Sequence, residues 1–132
     1  MTVVLEDADR RDPIDAAALL ANFAGENELL REIVDLFLQE CPERLAAMWR
    51  ALAAGDRPAL RLVAHSFKGS LDTLGARRAA AAAAVLERTA RTGDLEVAAD
   101  ACAMLEEEIA HAAPALAVLA GAPCGTKGAA CE

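Results

Sequence analysis

Apolar residues recur every three or four positions along most of this chain, the period of helices that each bury one stripe. Residues 1–12 are charged and aperiodic and are expected to be a loose lead-in. Asp12-Pro13 offers a helix start, and a short helix is predicted from about Asp15 to Ala24, stopped by Gly25. A second, long segment opens with Asn27 as its N-cap. Its stripe runs through Leu30, Ile33, Val34, Phe37, Leu38, Cys41, Leu45, Met48, Trp49 and Leu52, and Gly55 ends it. Pro42 lies inside this stretch, removes a backbone donor and is expected to kink or split the helix.

Asp56 caps the next segment, with Pro58 in the first turn, where a missing N–H costs nothing. Leu60, Val63, Ala64, Phe67, Leu71 and Leu74 mark its buried side, and Gly75 is a natural stop. A further helix spans about Ala76 to Thr92, dominated by the run Ala79 to Ala84, whose small side chains allow a neighbouring backbone to approach closely. After Gly93, Asp94 starts the last segment. Its positions Leu95, Ala98, Cys102, Leu105, Ile109, Ala112, Leu116 and Leu119 form a bundle-type seam, with Pro114 expected to bend or shorten the end. Residues 121–132 are small, Gly-rich and aperiodic, and are expected to be disordered.

The connections are short, which favours antiparallel neighbours. The predicted fold is therefore all-α: a single up-and-down antiparallel four-helix bundle over residues 13–120, with one short extra helix at the front. Composition agrees, with 55% hydrophobic residues, 3% aromatics and no Tyr in 132 residues, a mixture suited to helices rather than sheets.

Charge narrows the functional classes. Twenty-one acidic against 13 basic residues leave a net charge of −8, which argues against a general nucleic-acid binder or a protein held to anionic membranes. No apolar run is long enough to span a bilayer, and the acidic start is unlike a signal peptide, so a cytoplasmic location is expected. Cys41, Cys102, Cys124 and Cys131 form no CxxC pair. Cys41 and Cys102 fall on apolar stripes and read as core residues.

One stretch carries candidate chemistry. With Leu60, Ala64, Phe67, Leu71 and Leu74 turned to the core, helical geometry places Arg61, His65, Lys68, Gly69 and Asp72 on the opposite, solvent-facing side. Gly69 inside a helix costs about 1 kcal/mol relative to alanine. Access offsets that cost, because a partner surface can come close to an imidazole with no side chain one turn beyond it. Lys68 can then pair with an anion carried on the ring, and Arg61 adds to a local positive patch. Two cations beside His65 would also favour its neutral, nucleophilic form. Ser66 has no acid at triad-like spacing. Glu108 and His111 form a single Glu-x-x-His step, where di-iron bundles need two, so no metal site is expected.

The run Ala64-His65-Ser66-Phe67-Lys68-Gly69-Ser70-Leu71-Asp72-Thr73-Leu74-Gly75-Ala76 resembles the signature of histidine phosphotransfer domains, with its H-x-x-K-G core. The Ala53-Ala54-Gly55-Asp56 segment before it and Leu86-Glu87 after it are also typical of that family, and the likeness covers roughly residues 14–119. The resemblance implies that His65 accepts and donates a phosphoryl group, that Lys68 supports its charge and that Gly69 keeps the approach open. It implies a phosphocarrier rather than an enzyme with its own ATP-binding domain, monomeric and without a bound cofactor, the Mg²⁺ belonging to the partner. The partners implied are response-regulator receiver domains and a hybrid sensor histidine kinase. Leu71-Asp72 departs from the small or polar pair that often follows K-G-S, and Asp72 could help select among partners. Two other classes fit a helical chain with such a histidine: the histidine-bearing domain of a chemotaxis-type kinase, and a non-catalytic adaptor bundle.

Overall fold

The computed structural model describes residues 14–24 and 26–119, and they form five α-helices with no strand among them. The expected lead-in, the Asp12-Pro13 start, Gly25, the tail 121–132 and its two cysteines lie outside the described residues. We number the helices α1 (Ala16–Phe23), α2 (Asn27–Ala54), α3 (Arg57–Thr73), α4 (Arg77–Thr92) and α5 (Leu95–Leu119).

The apolar stripes close on one another. α4 packs most extensively on α3 and α5, and α2 completes the circuit by touching both α3 and α5. Leu60, Ala64, Phe67, Leu71, Leu86, Leu105 and Leu116 are fully buried in the shared core, as are Val34 and Met48. Cys41 and Cys102 are buried and free, and burial pushes the Cys102 thiol up to about 11. Four alanines of the run, Ala79, Ala80, Ala82 and Ala83, are buried, so α4 lies close against its neighbours with little side chain between.

Local chemistry explains most helix ends. The Asp56 carboxylate accepts the Ala59 N–H at 3.1 Å, and Asp94 does the same for Val97 at 3.3 Å, satisfying donors that the first turn leaves unpaired. Gly55 and Gly93 close α2 and α4 in the left-handed region. α1 is held against the α3–α4 turn. Asp15 caps α1 through Ala18, donates its own N–H to the Gly75 carbonyl at 2.7 Å, and pairs with Arg77 at 2.9 Å.

Three expectations are corrected. α2 runs unbroken through Pro42 from Asn27 to Ala54. Pro42 is exposed, and the buried residues on either side of it, Phe37, Cys41 and Met48, keep the segment helical, so the helix is not split there. α5 likewise continues past Pro114, also exposed, to Leu119 rather than ending early. Asn27 is inside the first turn of α2, not its cap. Glu26 takes the cap position without a side-chain hydrogen bond, and its carbonyl accepts the Leu30 N–H.

Candidate functional site

α3 presents its polar side as the periodicity requires. Arg61, His65, Gly69 and Asp72 are exposed and Lys68 is half-buried, while Leu60, Ala64, Phe67 and Leu71 are buried beneath them. The His65 side chain keeps 66% of its surface open. A Cβ built on Gly69 would meet nothing within 4 Å, so the space beyond the imidazole is open.

The structure adds a residue that the sequence argument did not assign to the site. Glu87, on α4, is 16% exposed and bridges two of the candidate side chains. Its Oε2 lies 3.1 Å from His65 Nδ1 and its Oε1 3.4 Å from Lys68 Nζ. The close α3–α4 approach that the alanines permit lets one glutamate reach both. Its place in the Leu86-Glu87 pair was a signal, but helical spacing within one segment cannot show which residue of the next helix faces it.

Burial pushes the Glu87 carboxyl up, but hydrogen bonds from His65 and Lys68, together with their charges, outweigh it and hold the group below its ordinary value. An ionised carboxylate can only accept, so it favours the tautomer with the proton on Nδ1. In the neutral ring Nε2 then carries the free lone pair, on a side chain that keeps two-thirds of its surface open. The expected pair of cations around the ring is thus corrected. The charged group in contact with the imidazole is an anion, Lys68 is turned to the same carboxylate, and Arg61 takes no part in the bridge. Asp72 also stands outside it, exposed farther along α3.

The sign of the Glu87 effect gives a pH prediction. Unfolded, the carboxyl binds its proton near 4.5, whereas the folded value is lower. Its contribution to stability is therefore complete above about pH 4.5 and is lost as pH falls through the folded value. Urea titrations from pH 6 to about pH 3 should show wild type losing stability relative to Glu87→Gln in that acid range. A constant difference between the two proteins would contradict the ion-pair assignment.

The other polar candidates lie elsewhere. Glu108 is taken by Arg78 at 3.0 Å, and His111 is exposed on α5. Among the described residues no group of three or more His, Cys, Asp or Glu side chains is placed to hold a metal ion, and no helix is long and apolar enough to cross a membrane. Trp49 is half-buried on α2, and its indole N–H donates to Glu106 at 3.2 Å.

Comparison with known proteins places the chain in a family. The Hpt domain model matches residues 32–115, a span that includes His65, Lys68, Gly69 and Glu87. The fold is similar to the crystal structure of histidine-containing phosphotransfer protein B from Pseudomonas aeruginosa PAO1, with a TM-score of 0.76 and 31% identity, over 83% of this chain and 95% of that one. No curated protein sequence matches the chain. Since the family model spans most of the bundle and the site helix with it, the chain belongs to the histidine phosphotransfer domain family.

Proposed function

We propose that His65 is the phosphoryl carrier of this phosphotransfer protein, taking the group from a receiver-domain aspartate and passing it to another receiver. The observation that carries the reading is the His65–Glu87–Lys68 constellation: a ring in contact with Glu87 through Nδ1, two-thirds exposed, with open space at Gly69 one turn beyond it. In the forward step the Nε2 lone pair attacks phosphorus in line, forming the N–P bond as the P–O bond to the aspartyl carboxylate breaks. That carboxylate leaves with the bonding pair. The Nδ1 proton stays on the ring, where Glu87 stabilises the positive charge that attack creates, while Lys68 can turn from Glu87 to the phosphoryl oxygens. Transfer in the other direction reverses each bond change. Positioning and charge neutralisation carry such reactions.

The remaining features of this reading follow the family. The two- and three-residue connections Gly55-Asp56, Leu74-Gly75-Ala76 and Gly93-Asp94 leave each long helix no room to return to the end it started from, which supports an up-and-down antiparallel bundle. We assign Mg²⁺ to the partner receiver, ATP-dependent phosphorylation to a hybrid sensor kinase, and the chain itself to the cytoplasm as a monomer. Arg61 and Asp72 border the face that a receiver would cover.

The test is phosphotransfer from receiver domains charged with acetyl phosphate, with the linkage identified by its stability. Label that is lost in acid, kept in base and mapped to the peptide holding His65 is the expected result. A folded protein that takes no label from a broad panel of active receivers would favour the adaptor class instead. Gly69 supplies a second test. Gly69→Ala should melt at or slightly above the wild-type temperature, because the added methyl has room and alanine is the better helix former by about 1 kcal/mol. Transfer should nonetheless slow by on the order of ten-fold, since the methyl holds the partner off the ring. Equal transfer rates would remove the access argument.

A further inference from the structure

Arg44, on α2, borders the site from the side opposite Glu87. Its guanidinium lies 4.6 Å from the ring centre of Phe67 and 5.7 Å from that of Phe37. Nη2 donates to the Ser66 hydroxyl at 2.5 Å and approaches that of Ser70 at 3.4 Å. Ser66 follows His65 in the chain and Ser70 follows Gly69, so the guanidinium is fixed at the edge of the reactive face.

What this cation lacks is an acid. Lys68, Arg50, Arg77 and Arg78 each hold a carboxylate. Arg31, Arg57, Arg61, Arg88 and Arg91 hold none, but Arg44 alone among these described cations is held by two rings beside the residues that follow His65 and Gly69. Glu40 stands four residues before Arg44, in the acid-then-base order that favours a helical pair, yet among the described residues Arg44 forms no ion pair. Stacking on two rings and contact with neutral hydroxyls hold the group in place without cancelling its charge. Beside it, between α2 and α3, opens a groove of about 280 Å³ lined by Ile33, Leu36, Phe37 and Ser70 among others, with Leu36 half exposed.

We propose that Arg44 is the docking cation of the phosphotransfer site, pairing with a carboxylate on the rim of the partner receiver's phosphorylation pocket. The inference rests on the reading of His65 as carrier. A pocket that forms an aspartyl phosphate and holds a divalent cation must cluster carboxylates, so such a partner brings negative charge to this face of an acidic protein. Arg44 meets that rim rather than the phosphoryl group, because Ser66 and Ser70 lie on the α2 side of α3 while Glu87 draws the imidazole toward α4. It is a specificity-determining residue and not a catalytic one.

The experiment measures transfer to the full chain against the concentration of an acetyl-phosphate-charged receiver domain that labels the wild type. It compares Arg44→Ala, Arg44→Gln and Arg44→Lys, each first checked by thermal melting. Arg44→Ala and Arg44→Gln should raise the half-saturating receiver concentration about ten-fold, leave the maximal rate nearly unchanged and weaken the dependence on salt. Arg44→Lys should restore most of the low-salt affinity, and the lifetime of the phosphohistidine should be the same in all four proteins. Half-saturation and salt dependence equal to wild type in Arg44→Gln would overturn the proposal, whatever happened to stability. A shortened phosphohistidine lifetime with unchanged half-saturation would overturn it too, by placing Arg44 on the phosphoryl group. If the wild type took no label from any receiver, the carrier reading would fall and this inference with it; a labelled wild type with an indifferent Arg44 would sink the inference alone.

Discussion

His65→Gln is expected to abolish phosphoryl labelling, a loss of at least about a thousandfold, while leaving the melting temperature within about a degree of wild type. The imidazole is two-thirds exposed and contributes nothing to the core, so the fold has little reason to respond. Glutamine can still donate an amide N–H to Glu87. It has no equivalent of the Nε2 lone pair, because the amide nitrogen shares its pair with the carbonyl. The substitution thus removes the nucleophile and keeps the neighbouring contact. Transfer assays with intact-mass detection would read the result directly. The chain has two histidines, and His111→Gln, on exposed α5 surface, should retain full labelling. Label persisting on His65→Gln and lost from His111→Gln would move the site to α5.

Gly75→Ala carries the largest effect on stability. Gly75 has φ of +73°, and a Cβ there would sit 2.8 Å from the Asp15 carbonyl oxygen and 3.3 Å from Leu19 Cβ. The left-handed backbone alone costs an L-residue about 1–2 kcal/mol. The methyl must also push α1 away from the turn, breaking the 2.7 Å bond from Asp15 N–H to Gly75 O and loosening the buried Ile14 and Leu19. A total of about 3 kcal/mol or more is expected, equivalent to a fall in melting temperature on the order of 10 °C. Gly55→Ala is the matched control. It shares the left-handed conformation at φ of +67°, but its Cβ would meet Leu95 at an ordinary 3.8 Å. It should cost only the backbone term of about 1–2 kcal/mol. Equal losses at the two positions would mean that α1 does not depend on its seat against this turn.

The two glycines also show how far local reasoning reaches. Both read as helix stops from position alone, yet only the fold distinguishes a glycine needed for its backbone angle from one that also makes room for another helix. Pro42 and Pro114 show the converse. Each is a helix breaker by its own chemistry, and each is carried inside a continuous helix because the residues around it bury a common stripe. At Asn27 a favourable capping residue is passed over, since the chain enters α2 one residue earlier.

What the sequence alone determined is the set of properties with a short repeat. The three-and-four spacing of apolar residues specified the long helices, the Asp56 and Asp94 caps their starts, and the same period placed His65, Lys68 and Gly69 together on the open side of α3. Those relations lie within one helix, where geometry follows from residue count. The partners of that face come from other helices, and no count within α3 reaches them. Glu87 lies 22 residues beyond His65 and Arg44 22 residues before Ser66. Only the packing of α2, α3 and α4, set by the buried alanines and by Phe37 and Phe67, brings a carboxylate to Nδ1 on one side and an unpaired guanidinium to the rim on the other. The tertiary structure therefore decided which tautomer of the ring is favoured and the charge of its surroundings, because both depend on distances across helices rather than along one.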